Sequence, residues 1–392
     1  MRTDKRNRGF ALPAVTGALV IIGILVTAGF YMSRQELRIG VASNHTNLAL
    51  NIAQAGANEV MANWNGYSLG NIGPWTDTTL TDTLSNGIWS VRIMNANDHV
   101  YFLTATGEVT EGGDMWAGAR RTIGITTKIL YADIDPPGAL TTRGDVNVGG
   151  SAAITGDNMT PTTWGPYCTS LPADSLPGIV LEDTTGGNPQ TTGGKATIDG
   201  EPPFDEDSTL VDETFTEFGN LTWTELVAVA QADGKDVTSS VSPITTVGPS
   251  VTATVPPRCD TADPSNWGDT IPIAPCGAYF PLIYHAGPLV VSSSSYAQGI
   301  LLVDGDLEVR GGFTFYGIII TQGSFTAGVG DNLIVGAVMA SNAGDINETY
   351  TGSSQIIYSR CAVTRAVLNN SALSRARPLA ERSWVDLTSV TN

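Results

Sequence analysis

The stretch that decides the fold is FALPAVTGALVIIGILVTAGFY, residues Phe10 to Tyr31, which carries no formal charge. Its 22 residues, at a rise of about 1.5 Å per residue, form a helix long enough to cross a hydrocarbon core about 30 Å thick. Four basic residues precede it, at Arg2, Lys5, Arg6 and Arg8. The positive-inside rule keeps this end in the cytoplasm, so the chain after Tyr31 is predicted to be exported.

The helical pattern continues beyond the apolar stretch. Apolar residues recur at intervals of three, four or seven, at Leu37, Val41, Leu48, Ile52 and Ala55. This spacing predicts one helix over residues 10–64, of which the first half lies in lipid and the second half is amphipathic. The alternative is a cleavable secretory signal, because residues 26–28 have the small-residue pattern that signal peptidase accepts. The apolar run is longer than in such signals, which favours the retained helix.

Two motifs in this helix resemble those of a known family. Residues 8–12, RGFAL, resemble the leader junction of type IV pilins and pseudopilins. Residues 48–59 are similar to the alanine-rich stretch of PilX-like minor pilins, with Gln54 where that family usually has Glu. The resemblance implies that residues 1–9 are a leader and that prepilin peptidase cleaves between Gly9 and Phe10. It also implies that the partners are other pilin or pseudopilin subunits and the inner-membrane assembly machinery.

Ala14 departs from the family's pattern. Most pilins carry Glu at the fifth mature position, where its carboxylate pairs with the amino terminus of a neighbouring subunit. Burying an ammonium group without its partner is costly, so a subunit that lacks this Glu resembles the pseudopilins placed at a filament tip. The alternative is that minor pilins of this branch often lack the Glu, and that its absence says nothing about where the subunit lies in the filament. The predicted helix-assembly positions are Ala14, Leu37, Val41, Leu48 and Ile52.

The composition favours turn-rich β structure. Only 15% of the 392 residues are charged, while 44 are Gly and 21 are Pro. The length predicts two to three folding units, and the fold class is predicted to be α+β, mostly β. The formal net charge of −18 excludes electrostatic binding to the phosphates of nucleic acids.

A small β-meander is predicted in residues 65–135. Residues 65–86 are rich in Gly, Asn, Thr and Asp, which is typical of a loop. Three strands are predicted after it, at Trp89–Met94, Val100–Val109 and Arg120–Ile129, because turn-forming residues separate them. A meander packed on the exposed half of a long helix is also what the pilin resemblance implies.

Residues 136–392 are predicted to form a second β domain. Short apolar strands recur there between Gly or Asp-Gly, which favours a β-solenoid with glycine at the corners, and a β-sandwich with tight hairpins is the alternative. Residues 157–284 are assigned to a loop-rich insertion with one helix, Leu221–Asp233, capped by Thr222 or Thr224. Residues 361–368 are predicted as a short helix or a final strand, and residues from 374 onward as a surface strap.

Four cysteines, all in the exported part, predict two disulfides. Cys259 and Cys276 flank a Pro-containing loop, so we expect them to pair, which leaves Cys168 to pair with Cys361. A zinc site is disfavoured because no Cys-x-x-Cys occurs and the three histidines are scattered.

Candidates for chemistry are few. The sequence has no nucleophile elbow, zinc-protease motif or phosphate-binding loop. Asp304, Asp306 and Glu308 alternate on one predicted strand, as in some β-helical carbohydrate-active enzymes, although a solvated turn explains them more simply. No cofactor is predicted except calcium, whose candidate ligands are Asp260, Asp263, Asn266 and Asp269.

The sequence therefore predicts a structural, non-enzymatic subunit of a type IV pilus or secretion pseudopilus. It would sit in the inner membrane with its N-terminus in the cytoplasm and its C-terminal region outside, and then in a filament at the cell surface. Its β domain would serve adhesion or contact with exported substrate. The alternatives are a membrane-anchored or secreted β-solenoid carbohydrate-active enzyme and a glycan-binding adhesin unconnected to pili.

Overall fold

The chain has a long N-terminal helix followed by mostly β structure, which confirms the predicted α+β class. The computed structural model describes residues 11–64, 67, 69, 72–97, 100–110, 118–129, 132–168, 174–183, 189–192, 194–219, 221–240, 242–341, 348–350, 353–370, 372–373, 376–379 and 384–388. The chain divides into two compact units. The first comprises Met1–Lys128 and Ala376–Asn392, and the second comprises Ile129–Arg375.

The first unit contains helix α1 and an antiparallel meander. Helix α1 spans Ala11–Ala62. The strands are β1 (Asp77–Leu84), β2 (Gly87–Asn97), β3 (Val100–Val109) and β4 (Arg120–Ile129), each antiparallel to the next. Strands β3 and β4 have their predicted bounds. The prediction of a loop over residues 65–86 is wrong for β1, because this edge strand is mostly polar and exposed and so lacks the apolar alternation that marks a half-buried strand.

Small residues bring α1 into close contact with the sheet. A Cβ on Gly107 of β3 would lie 2.1 Å from the carbonyl oxygen of Ala49, and one on Gly56 of α1 would lie 2.6 Å from Cγ of Trp89. The alanine- and glycine-rich stretch is therefore needed for packing against the unit's own head, by which we mean the meander β1–β4. Ala55, which the sequence placed on the apolar stripe, is exposed instead. Buried residues on this face of α1 are Ala49, Ile52, Ala53, Ala57, Val60 and Met61, and Trp64 is buried just beyond its end.

The second unit is built from short strands. In chain order they are β5 (Leu140–Thr142), β6 (Val146–Gly149), β7 (Ala153–Thr155), β8 (Ile179–Leu181), β9 (Gln190–Thr192), β10 (Thr197–Asp199), β11 (Phe204–Glu206), β12 (Glu217–Phe218), β13 (Leu221–Thr222), β14 (Lys235–Asp236), β15 (Leu282–Ala286), β16 (Leu289–Ser292), β17 (Tyr296–Asp304), β18 (Leu307–Arg310), β19 (Thr314–Thr321), β20 (Phe325–Ala327), β21 (Leu333–Ala340), β22 (Glu348–Tyr350) and β23 (Gln355–Tyr358).

These strands form stacked coils in parallel register. Leu282 pairs with Ile300 and Ile300 pairs with Ile318, so equivalent positions in these coils are 18 residues apart. A second parallel sheet repeats the spacing, because Leu289 pairs with Leu307 and Leu307 with Phe325. Two parallel sheets joined by short corners are the arrangement of a β-solenoid, whereas a sandwich needs antiparallel hairpins.

The order of the coils in space differs from their order in the chain. Strand β21 pairs with β5, and β5 pairs with β8, so the earliest coils stack beyond the latest ones. Strands β8, β9, β10 and β11 all belong to this stack. Assigning the whole of residues 157–284 to a loop-rich insertion was therefore wrong for β8–β11 and for β14, which pairs with β15.

A column of glycines lies inside the strands and not at the corners. Gly299, Gly317 and Gly336 are cross-strand partners, and their φ values are 115°, 139° and 141°. A Cβ on Gly317 would lie 2.0 Å from the carbonyl oxygen of Gly299. From the sequence, Gly299 and Gly317 were predicted to lie between strands, and Gly336 was predicted to lie inside one. The structure shows that each strand continues through them, because close backbone approach requires glycine there.

Three α-helices and one 3₁₀ helix complete the described part of the second unit. The α-helices are α2 (Asp212–Thr216), α3 (Trp223–Asp233) and α4 (Arg360–Leu368), and the 3₁₀ helix is Thr162–Tyr167. Thr222 caps α3, as predicted, in a capping box with Glu225. Helix α4 takes the predicted helical alternative for its segment and packs on β17, β19 and β21.

The C-terminal residues belong to the first unit. Strands β24 (Ala376–Pro378) and β25 (Trp384–Asp386) both pair with β4. The sequence grouped this tail with the second β domain as a surface strap, and the structure differs because the tail supplies the strands that cover the outer edge of β4. Leu387 N donates to the carbonyl oxygen of Thr122 at 2.9 Å, which extends this pairing by one more bond.

Candidate functional site

The N-terminal half of α1 is an exposed apolar rod. Large apolar residues from Val15 to Ile39 are between 55% and 69% exposed, whereas Ile52 in the same helix is 2% exposed. Among the described residues, this is the one helix long and apolar enough to cross a membrane. Its most apolar segment has a mean hydropathy of 2.1, and none of that segment is buried. The rod presents aliphatic surface that the described residues leave uncovered. Such surface is stable only in lipid or against other apolar helices.

A polar side chain in the uncharged part of the rod is satisfied within the helix. The Thr27 hydroxyl donates to the Gly23 carbonyl oxygen four residues earlier, at 2.7 Å, so the side chain places no unbonded donor in an apolar medium. Charge begins at Arg34, whose guanidinium lies 5.1 Å from the centre of the Phe30 ring. This cation–π contact marks the end of the uncharged part of the rod.

The structure separates the predicted helix-assembly residues into two groups. Leu37 and Val41 are exposed, at 66% and 36%, and are available to another helix. Leu48 is half-buried, and Ile52 lies beneath the sheet, so Ile52 serves packing within the subunit. The sequence alone could not separate the two groups, because apolar residues that pack on the subunit's own head and apolar residues that pack on a neighbouring helix recur with the same 3.6-residue period.

The predicted cleavage residues Gly9 and Phe10 lie outside the described residues. Ala14 lies within α1, and its side chain is not described. The cleavage site between Gly9 and Phe10 and the role of Ala14 therefore stay predictions from the sequence.

The predicted cysteine pairs are the pairs present in the structure. Cys168 is joined to Cys361, which lies 193 residues later, with Cα atoms 5.6 Å apart. Cys259 is joined to Cys276, with Cα atoms 4.8 Å apart. The first bridge ties the start of α4 to the end of the 3₁₀ helix, and the second closes the Pro-containing loop. Both therefore hold segments that lie outside the stacked coils.

The three candidate acidic residues do not share one strand. Asp304 ends β17, Asp306 lies in the following turn and Glu308 lies in β18, because Gly305 turns the chain with φ of 154°. Asp306 Oδ1 accepts hydrogen bonds from the backbone N and Oγ of Ser324, at 2.9 and 3.0 Å. Glu308 pairs with Arg310 at 3.3 Å. The prediction of one strand carrying all three was wrong: Asp306 joins its turn to the next coil, whereas Glu308 pairs within its own strand.

The calcium candidates hold turns. Asp260 Oδ1 accepts from Ala262 N, Asp263 Oδ1 accepts from Ser265 N and Oγ, and Asp269 Oδ1 accepts from Ile271 N. The Asn266 side chain donates to the carbonyl oxygens of Ser250 and Asp260 and accepts from Gly268 N. Within the described ranges, no group of three or more His, Cys, Asp or Glu side chains could hold a metal ion. A calcium site in this loop stays a prediction from the sequence.

An aromatic cluster around Arg365 was not predicted. The guanidinium carbon of Arg365 on α4 lies 4.3 Å from the Trp164 ring centre, 5.0 Å from that of Tyr167 and 5.1 Å from that of Phe280. Burial lowers the pKa of Arg365. These residues come from three distant segments, so no local pattern in the sequence indicates that they meet.

Trp75 was also missed, although Gly73-Pro74-Trp75-Thr76 is a turn sequence that exposes its large residue. The residue is 77% exposed and has φ of 61°.

No protein-family model and no curated protein matches the sequence. Among solved structures, the crystal structure of the competence-associated pilin ComZ from Thermus thermophilus is similar at 12% identity, covering 87% of this chain and 96% of that chain, with a TM-score of 0.23. This TM-score is too low to support an argument about fold or function. The functional inference therefore depends on the chain's own residues.

Proposed function

We propose that this protein is a PilX-like minor pilin or pseudopilin, a structural subunit of a type IV pilus or secretion pseudopilus. The observation that carries the proposal is the exposed apolar surface of α1, which is uncharged from Val15 to Ser33 and continues at Leu37 and Ile39, on a helix whose second half packs against its own head. A helix built in this way has one half for its own fold and one half for lipid or for neighbouring helices.

The proposed steps of insertion, cleavage and assembly follow from the two halves of α1. The subunit is held in the inner membrane by the rod, with its N-terminus in the cytoplasm and both β units outside. Prepilin peptidase removes residues 1–9, and the inner-membrane machinery then transfers the rod from lipid into a bundle of pilin helices. The mechanism is packing, with no chemical turnover, since the exchange replaces lipid contacts of the rod with helix contacts.

Ala14 supports a place at the filament tip. Without a carboxylate at this position, the subunit cannot neutralise the amino terminus of a subunit ahead of it, so addition ahead of it is disfavoured. The β-rich part would then be presented at the end of the filament, where it can contact cells, surfaces or exported substrate.

The experiment compares two matched variants of the exposed helix. Leu37→Asp and Ile39→Asp introduce the same charge at positions 66% and 69% exposed, and the two side chains lie about 200° apart around the helix. Leu37 belongs to the apolar stripe of predicted helix-assembly positions, here called the packing stripe, and Ile39 does not. Filaments are sheared from cells of the native host that express each variant, and the recovered subunit is quantified.

We expect Leu37→Asp to reduce recovery in filaments at least about tenfold, because a buried unpaired carboxylate costs several kcal/mol in an apolar bundle. Ile39→Asp should reduce it less, and both variants should keep the circular dichroism of the wild type because neither side chain packs on the head. Equal loss in both variants would contradict the packing stripe. Unchanged recovery of both would contradict the assembly role.

A further inference from the structure

Trp75 combines an unfavourable backbone conformation with an exposed indole. Its φ of 61° lies in the left-handed region, and it is the one non-glycine residue with positive φ among the described residues. The residue is 77% exposed, so the indole adds almost nothing to the core. Glycine would occupy this position without strain. A residue that strains the backbone and buries no surface marks a functional position, since the fold alone does not need it.

The backbone around Trp75 is held rigidly in place. Trp75 N donates to the Asn95 carbonyl oxygen at 2.8 Å, and Asn95 N donates to the Thr76 carbonyl oxygen at 3.0 Å. The Asn95 side chain donates through Nδ2 to the Ile72 carbonyl oxygen at 2.7 Å. One residue of β2 therefore anchors the loop through three hydrogen bonds. The backbone that carries the indole is therefore held in place, which lowers the entropy that a ligand must overcome on binding.

The residues that follow Trp75 are exposed and polar, whereas Pro74 before it is exposed and apolar. Thr76 and Asp77 follow it in the chain and are exposed. Asp77 forms a two-bond ion pair with Arg92, from Nε to Oδ2 at 2.8 Å and from Nη2 to Oδ1 at 3.1 Å, and both side chains reach solvent. The hydrogen bond from Arg92 lowers the pKa of Asp77, so its carboxylate remains an acceptor in acidic surroundings. The indole is thus carried two residues before a charged acceptor, Asp77, which is paired with a charged donor, Arg92.

Trp75 lies at the end of the first unit far from the rod, which argues against a membrane anchor. Ala49 of α1 lies under Gly107, whereas Trp64 contacts Tyr101 with ring centres 4.8 Å apart. Tyr101 is the cross-strand partner of Asn95, the residue that anchors the Trp75 loop. The loop therefore lies at the same end of the unit as Trp64, and Trp64 is about 22 Å from Ala49 along the helix direction. This step rests on the proposed function, because it takes the rod to be the part in the membrane.

These features favour a sugar over a protein surface. Aromatic hot spots for proteins lie within larger apolar patches, whereas here Pro74 is the one apolar side chain besides Trp75 itself among the exposed residues 73–77. A pyranose ring has an apolar face that stacks on an indole and hydroxyl groups at its rim that exchange hydrogen bonds with charged side chains. We propose that Trp75 is the stacking platform of a binding site for a neutral oligosaccharide, with Asp77 accepting from its hydroxyl groups and Arg92 donating to them.

The test uses the full-length protein in a detergent without a sugar headgroup. Cellotetraose, chitotetraose and maltotetraose are titrated into the wild type, Trp75→Gly, Arg92→Gln and Trp384→Ala, and binding is measured by saturation-transfer NMR and calorimetry. Trp384 is the matched control, since it is 47% exposed in the same unit. Unfolding midpoints of all four proteins are measured alongside.

We expect at least one of the three saccharides to bind the wild type and Trp384→Ala equally. Trp75→Gly should weaken binding at least about tenfold while its unfolding midpoint stays unchanged or rises by about 2–4 °C, because glycine relieves the strain. Arg92→Gln should weaken binding less. The proposal is overturned if none of the saccharides binds at about 10 mM, if Trp75→Gly binds like the wild type, or if Trp75→Gly unfolds more readily. None of these outcomes depends on filament assembly, so failure here is distinct from failure of the proposed function.

Discussion

The contact between α1 and its head predicts opposite behaviour for two glycines of the same helix. A Cβ on Gly56 would lie 2.6–2.8 Å from Cβ, Cγ and Cδ2 of Trp89, whereas a Cβ on Gly40 would meet nothing within 4 Å. The atoms near Gly56 belong to the root of a buried side chain, so they cannot swing aside cheaply. We therefore expect Gly56→Ala to push the helix off strand β2 and Gly40→Ala to leave this contact unchanged.

The magnitude follows from two opposing effects. Overpacking a well-filled core site costs roughly 1–3 kcal/mol, and replacing glycine by alanine in a helix returns about 0.5–1 kcal/mol. Gly56→Ala should therefore lower the free energy of opening of the first unit by about 1–2 kcal/mol. Gly40→Ala keeps only the favourable effect and should not destabilise the unit.

The assay is native-state hydrogen exchange of the amides of β2 and β3 in the full-length protein in detergent. It reports on the first unit by itself, whereas global unfolding would mix both units. Protection should fall about 5- to 30-fold in Gly56→Ala and should not fall in Gly40→Ala. Wild-type protection in Gly56→Ala, or equal losses in both variants, would refute the packing argument.

Three further outcomes are expected in the second unit. Gly317→Ala should destabilise it by about 2–4 kcal/mol in urea, because the new Cβ meets the Gly299 backbone and φ is unfavourable for alanine; a normal urea midpoint would contradict this. Cys361→Ser should cost about 2–5 kcal/mol by releasing the bridge to Cys168, and mild reduction of the wild type should reproduce part of that loss. Burial raises the pKa of Tyr279 from 10.0 to about 12, so its contribution to stability is complete below pH 10.0 and is lost as the pH rises through 12. The alkaline fall in the urea midpoint should accordingly be smaller in Tyr279→Phe, and an equal fall would contradict the burial argument.

Local patterns in the sequence were sufficient where one face of an element is apolar and the other polar. Strands β3 and β4 alternate in this way, and their bounds were predicted in full. Strand β1 was missed because threonine occupies most of its exposed surface and only Leu80 and Leu84 are large and apolar. Gly299 and Gly317 were read as corners because a sequence does not distinguish a glycine needed for a turn from one needed for close strand contact.

Long-range pairing was beyond local patterns. Strand β21 pairs with β5 across almost 200 residues, and nothing in either strand specifies this partner, since parallel buried strands all appear as short apolar runs. For the site, hydropathy alone predicted the apolar rod. It did not reveal that Ile52 serves the subunit's own head, nor that Trp75 has positive φ, because both depend on contacts with β2 and β3.

The N-terminus of the mature protein, isolated from the membrane and from sheared filaments of the native host, tests the central claim most directly. Retention of the rod as an assembly helix predicts a chain that begins at Phe10, in both fractions, with residues 1–9 removed. A mature chain that begins after Ala28, released as a soluble protein without the apolar helix, would contradict the account.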